Sequence, residues 1–243
     1  MKQISKIIIL NCWKRKNEGL IVEKIIKAII QEMNVDIDVE ISYDDGSLNI
    51  WGNYKQAMKI PSKEEERFRF IIQDDMLISR QGIEKMIYLL QFFQNDCFVS
   101  FYVPKNKGYK ECTEKGHRVL LTHTNFWTQA FCFPSIKIDE IIEWGDKFKD
   151  DDLKIGRWED TRIRNYCVNT NTSIYAILPS LFQHLGAYRS ALGISGEIGK
   201  NKRYSDQFQP DKDIYKVDWK KEMDNPFKTE KPTKMKDYHQ YTI

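Results

Sequence analysis

The chain has few of the residues that mark a secreted or membrane-spanning protein. Its five cysteines, Cys12, Cys97, Cys112, Cys132 and Cys167, are odd in number, scattered, and include no Cys-x-x-Cys pair. That pattern argues against a disulfide framework and a structural zinc, and it fits a reducing cytosol. No apolar run approaches the roughly 20 residues that span a bilayer. The early run Ile7-Ile8-Ile9-Leu10 is too short for a secretory signal and has no small-residue cleavage site, so it reads as a first strand. A net charge of only +3 demands no polyanionic partner, although it leaves room for a local basic face. No repeat of solenoid or propeller period is present. A cytoplasmic protein with no membrane span is the expectation.

The 41% hydrophobic and 13% aromatic content rules out a disordered chain, and 243 residues suffice for one α/β domain with a full core. Lys6 to Asn11 reads as a buried strand. Ile21, Ile25, Ile26, Ile29, Ile30 and Met33 recur at helical spacing, and Ile37, Val39 and Ile41 alternate with polar residues up to Tyr43. This β-α-β order predicts a mostly parallel sheet flanked by helices. Further helices are expected over 52–60, 83–93, 138–148 and 158–168, and strands over 68–72, 97–103, 126–133 and 173–178. The stretch 104–116 reads as a Lys- and Gly-rich polar loop. The domain is expected to occupy residues 1–192. Beyond it, apolar periodicity stops, and 193–243 reads as an irregular C-terminal extension.

Three acidic sites follow strands or head a helix: Asp44-Asp45, Asp74-Asp75 and Glu159-Asp160. In an open α/β sheet the loops at the carboxyl ends of the strands share one face, so these acids are placed to converge on one cleft. Adjacent carboxylates at a strand end suit a hard divalent cation such as Mg²⁺ or Mn²⁺. Each acid also has a plain structural reading. Asp44-Asp45 and Asp74-Asp75 are ordinary turn chemistry, and Glu159-Asp160 complements a helix dipole. His184, in Leu181-Phe182-Gln183-His184, reads either as a buried histidine or as a group reaching the same cleft. Lys14 and Arg15, just after the first strand, can meet a diphosphate as charge-assisted donors or lie on the surface.

The order β-α-β-Asp-Asp-Gly-Ser, a Gly-Asn helix, strand-Gln-Asp-Asp, Trp-Glu-Asp, and a strand followed by Pro-Ser-Leu-Phe-Gln-His resembles GT-A-fold glycosyltransferases, most of all the family 2 type. The Pro-Ser-Leu-Phe-Gln-His-Leu-Gly segment is also similar to the end of the catalytic domain in an N-acetylglucosaminyltransferase family. The similarity covers roughly residues 6 to 190. It implies a GT-A (Rossmann-like) fold and a nucleotide-sugar donor, a UDP-sugar first among them. It further implies a base-binding role for Asp44 and Asp45. Its Asp-x-Asp motif falls on Gln73-Asp74-Asp75, with Asp75 holding Mn²⁺ or Mg²⁺, Asp74 assisting, and Gln73 offering an amide where the family has an acid. The general base falls on Glu159-Asp160, Asp160 foremost, and His184 falls on the histidine that contacts metal or diphosphate.

These residue types suit sugar transfer. A divalent cation stabilises the charge that grows on a departing diphosphate, and a carboxylate takes the proton of the attacking hydroxyl. The acceptor is expected to be a glycan or a hydroxylated DNA base. The alternative from a different class is a non-enzymatic nucleic-acid-binding protein with structural acidic loops. It is motivated by the lysines and single aromatics of the extension.

Overall fold

A computed structural model describes residues 1–62, 64–103, 107–123, 126–148, 159–185, 205 and 208–228. The chain begins with β1 (Lys6–Asn11), α1 (Lys16–Met33), β2 (Asp38–Tyr43), α2 (Ile50–Lys59) and β3 (Phe68–Gln73). There follow β4 (Met76–Leu77), α3 (Arg80–Leu90), β5 (Phe98–Ser100), α4 (Lys107–Glu114), β6 (Val119–Thr122) and β7 (Ala130–Pro134). The remainder comprises α5 (Ile138–Gly145), α6 (Glu159–Thr170), β8 (Ile174–Ile177), β9 (Gln183–His184), α7 (Trp219–Asp224) and β10 (Phe227–Lys228).

Eight strands form one sheet in the order β10-β6-β8-β5-β7-β3-β1-β2, and β4 pairs with β9 in a separate two-stranded sheet. The pairings β1–β2, β1–β3, β5–β8 and β6–β10 are parallel. Those of β7 with β3 and β5, and of β6 with β8, are antiparallel. The molecule is therefore α/β with a mostly parallel sheet flanked by helices, an arrangement compatible with a Rossmann-like fold. Strands β1, β2, β3, β5 and β8 all point the same way, so their carboxyl ends share one edge of the sheet.

Alternation along β1 explains the layering. Ile7 and Ile9 join a core with Val22, Ile26 and Ile29 of α1 and Ile83, Met86 and Leu89 of α3. Ile8 and Leu10 face the other way, onto Trp51, Tyr54 and Met58 of α2, Ile141 of α5 and Tyr166 of α6. A strand buried on both faces reads as a continuous apolar run, which is why the amino-acid pattern of β1 does not alternate with polar residues. Helix starts are marked locally: the Asn49 side chain accepts from Gly52 N–H at the head of α2, and Ser79 accepts from Gly82 N–H at the head of α3.

Two expectations are corrected. Residues 107–114 of the expected polar loop form α4, which buries Tyr109 and Cys112 one turn apart against Val103, Leu120 and Leu178. The extension contributes to the main core over residues 208–228. Ile214 and Trp219 are buried there, and the Trp219 indole N–H donates to Ile214 O at 2.8 Å. The Lys85 ammonium, itself buried, donates to the carbonyls of Pro210 and Lys212 and ties this segment to α3. Strand β10 then extends the sheet beside β6. The boundary expected at 192/193 falls outside the described residues. Among the described residues no helix is long and apolar enough to cross a membrane.

Candidate active site

Strand β1 has β2 on one side and β3 on the other, so the chain reverses its direction of travel across the sheet between β1 and β3. The crevice outside the carboxyl ends of such strands is where open α/β sheets bind ligands. Asn11 ends β1 there and is buried. Its side-chain N–H₂ donates to Arg15 O at 2.7 Å and to Asp74 Oδ2 at 2.6 Å. Helix α1 passes so close that a Cβ on Gly19 would lie 2.5 Å from the Asn11 Nδ2. Only glycine fits at that crossing.

A 3₁₀ turn over Trp13–Arg15 brings Arg15 back across the end of β3. Its guanidinium bridges two carboxylates, with Nη2 2.6 Å from Asp74 Oδ1 and Nη1 2.5 Å from Asp75 Oδ2. Asp74 also accepts from the Cys12 N–H at 3.0 Å, so this one carboxylate organises the whole β1–α1 loop. Pairing of β4 with β9 sets Met76 opposite His184, and Leu185 N–H donates to Asp75 O at 2.9 Å. In consequence His184 Nε2 lies 3.2 Å from Asp75 Oδ2. Asp74, Asp75, Arg15 and His184, separated by up to 169 positions in the chain, thus form one buried cluster.

The two acids differ in charge state. Burial pushes the Asp74 carboxyl up to about 6, against the pull of Arg15. Burial also opposes ionisation of Asp75, but His184 and the Arg15 guanidinium outweigh it and hold Asp75 down at about 2. Asp75 Oδ1 is buried and accepts no hydrogen bond among the described residues.

Gln73, Tyr54 and Glu159 make a second line of contacts. The Gln73 side-chain N–H₂ donates to Tyr54 OH at 3.0 Å, and Tyr54 OH donates to Thr128 O at 3.0 Å. Thr128 Oγ1 donates in turn to Glu159 Oε1 at 2.9 Å. Burial, and then the charges of Glu159 and Asp160, raise the Tyr54 hydroxyl well above its ordinary value. The head of α6 is therefore linked to the end of β3 and the start of β7 through Gln73, Tyr54 and Thr128. Asp160 itself is half-buried, and its Oδ1 accepts from Thr161 Oγ1 at 3.3 Å.

Asp44 and Asp45 fold onto their own loop. Asp44 Oδ1 accepts from Gly46 and Leu48 N–H at 2.8 and 3.2 Å, and Asp45 Oδ1 accepts from Ser47 N–H at 2.9 Å. These are turns closed by aspartate side chains, with Gly46 at φ 97° supplying the left-handed residue. Lys14 lies over the Trp13 ring, 5.2 Å from its centroid.

Sequence reasoning missed Asn11, Tyr54 and Trp13. Asn11 had a signal, a polar residue closing the apolar run Ile7-Ile8-Ile9-Leu10. Trp13 is 51% exposed, and its indole lies 3.3 Å from where a Cβ on Gly46 would be, so it stands over the Asp44-Asp45 turn. Beside it Lys16 covers Tyr43, at 5.2 Å, giving an exposed patch of aromatic rings and ammonium groups. Phe131 and Phe133 are core residues packed among Phe98 and Phe126.

Among the described residues no group of three His, Cys, Asp or Glu side chains is arranged to hold a metal ion. The carboxylates of Asp74 and Asp75 and the imidazole of His184 nevertheless lie together here, and one Asp75 oxygen is orphaned. The Arg15 guanidinium stands on these same carboxylates. No protein-family model and no curated protein matches the chain.

Proposed function

We propose that the chain is a nucleotide-sugar-dependent glycosyltransferase of GT-A type, with a UDP-sugar as donor and Mn²⁺ or Mg²⁺ as cofactor. The single observation that carries this reading is the buried Arg15–Asp74–Asp75–His184 cluster in the crevice between the carboxyl ends of β1 and β3. A bound divalent cation would supply Lewis-acid stabilisation of the leaving diphosphate. Asp75, through its orphaned oxygen, and His184 would hold it, with Asp74 assisting.

The chain's own residues supply the rest. Arg15 neutralises anionic charge in the crevice with a planar fork suited to phosphate oxygens. Trp13, exposed above the Asp44-Asp45 turn, offers a face on which a nucleobase stacks. Asp160 takes the proton of the acceptor hydroxyl, and Glu159, fixed by Thr128, orients the head of α6. With donor and acceptor held in line, one displacement inverts the anomeric centre. The acceptor is a glycan or a hydroxylated DNA base.

Calorimetry with UDP- and GDP-sugars, with and without Mn²⁺, tests the reading, and metal-dependent binding of a donor is expected. Asp160→Asn should leave that binding intact and stop turnover, whereas equal loss of binding in Asp160→Asn and Asp75→Asn would overturn the assigned roles. A second reading, a non-enzymatic nucleic-acid-binding protein, is favoured by one observation. The exposed Trp13, Lys14, Tyr43 and Lys16 patch combines stacking surfaces with cations. Single-stranded DNA binding that weakens steeply with salt, with no donor binding, would select it.

A further inference from the structure

We infer that Arg15 is a resident cation that competes with a divalent metal ion for Asp74 and Asp75. The inference rests on the proposed reading only in taking these acids as the metal site. Two geometric facts carry it. First, the guanidinium bridges the two carboxylates, Nη2 to Asp74 Oδ1 and Nη1 to Asp75 Oδ2, instead of forking onto one of them. It occupies both acids that would hold the ion. Second, the bridge leaves polar atoms unsatisfied on both partners. Arg15 Nε and Asp75 Oδ1 are buried, and neither has a hydrogen-bond partner among the described residues. Buried polar atoms are nearly always paired, so a site with an orphan donor and an orphan acceptor is built for a second arrangement.

Charge explains what the second arrangement is. Two carboxylates and one guanidinium leave the cluster with one net negative charge, with His184 beside it. Adding a divalent ion while Arg15 remains would place like charges within a few ångströms in a buried site, which is unfavourable. Departure of Arg15 exposes both carboxylates and frees its planar fork for an anion. Its short tether, the Trp13–Arg15 turn directly after β1, keeps the freed side chain at the crevice. Metal entry and anion binding are then two halves of one exchange, in which Arg15 passes from the carboxylates to the incoming phosphate oxygens.

Mn²⁺ titration followed by electron paramagnetic resonance, on the full chain without any sugar donor, tests the competition. Arg15→Met should bind Mn²⁺ at least about tenfold more tightly than wild type, because a charge repelling the ion from a few ångströms is gone. The gain should vanish when Asp75→Asn is added. Arg15→Lys, whose single ammonium cannot span both carboxylates, should fall between, and it serves if the Met variant does not fold by its melting curve. Metal-free UDP affinity should move the opposite way and fall in Arg15→Met. A merely structural arginine would not shift the two affinities in opposite directions. Mn²⁺ binding no tighter in folded Arg15→Met or Arg15→Lys than in wild type would overturn the inference. So would a gain that survives Asp75→Asn. Failure of every sugar donor to bind would instead strike the glycosyltransferase reading and leave the Mn²⁺ comparison standing.

Discussion

Replacing Asp74 separates its structural role from its charge. Its Oδ2 accepts from Asn11 Nδ2 and Cys12 N–H, and its Oδ1 pairs with Arg15. Asp74→Ala removes all three partners' acceptor. Asn11 still reaches Arg15 O and Arg15 still reaches Asp75, but the Cys12 N–H and one arm of the guanidinium lose their only partners seen here. Unmade hydrogen bonds of this kind, one of them to a buried charge, cost about 3–5 kcal/mol together. In urea unfolding that is a large loss for a chain of this size, equivalent to a melting shift of about 6–20 °C.

Asp74→Asn keeps an oxygen for both N–H groups, so it should cost less and show a distinctive pH dependence. The wild-type carboxyl has its folded-state value raised to about 6 from 3.8. Its contribution to stability is therefore full below pH 3.8 and is lost as pH rises through 6, a difference of up to about 3 kcal/mol. Asp75, held at about 2 against an ordinary 3.8, keeps its contribution above pH 3.8 and loses it progressively as pH falls from there through 2. The penalty of Asp74→Asn relative to wild type should accordingly shrink between pH 4 and pH 7. A penalty that grows with pH, or an Asp74→Ala loss below about 1 kcal/mol, would refute the reasoning.

Further outcomes follow from the same geometry. Gly145→Ala places a Cβ 2.0 Å from the Trp51 ring and should cost at least about 1–3 kcal/mol in denaturant unfolding. Trp219→Ala, deep in the core, should cost about 3–5 kcal/mol, which shows by the same assay whether the segment 208–228 belongs to the folded unit. Trp13→Ala should leave stability within about 0.5 kcal/mol, since the ring is half exposed, and should weaken nucleotide binding measured by calorimetry.

The legible parts of the fold were those where one element carries its own pattern. The six-residue spacing set of Ile21 to Met33 and the unbroken Lys6–Asn11 run gave α1 and β1. Helix α4 was hidden because only Tyr109 and Cys112 of its eight residues are buried apolar groups, too few to make a period. Ile214 and Trp219 were hidden for a related reason. They are single apolar anchors among charged residues, and their burial depends on a surface formed by distant elements. At the site, the acid pair after β3 and His184 were visible as residue types in order. The Arg15 bridge was not, because it spans about 60 positions and is fixed by the crossing of α1 over Asn11 at Gly19.

The central claim is that the crevice between β1 and β3 binds a nucleotide sugar with a divalent cation held by Asp75. Its most direct test is a donor-hydrolysis screen across UDP- and GDP-sugars, run with and without Mn²⁺ on wild type and Asp75→Asn. The account predicts slow release of sugar from one donor, dependent on Mn²⁺ and abolished in Asp75→Asn. Absence of hydrolysis and of binding for every donor, or release unchanged by Asp75→Asn, would contradict it.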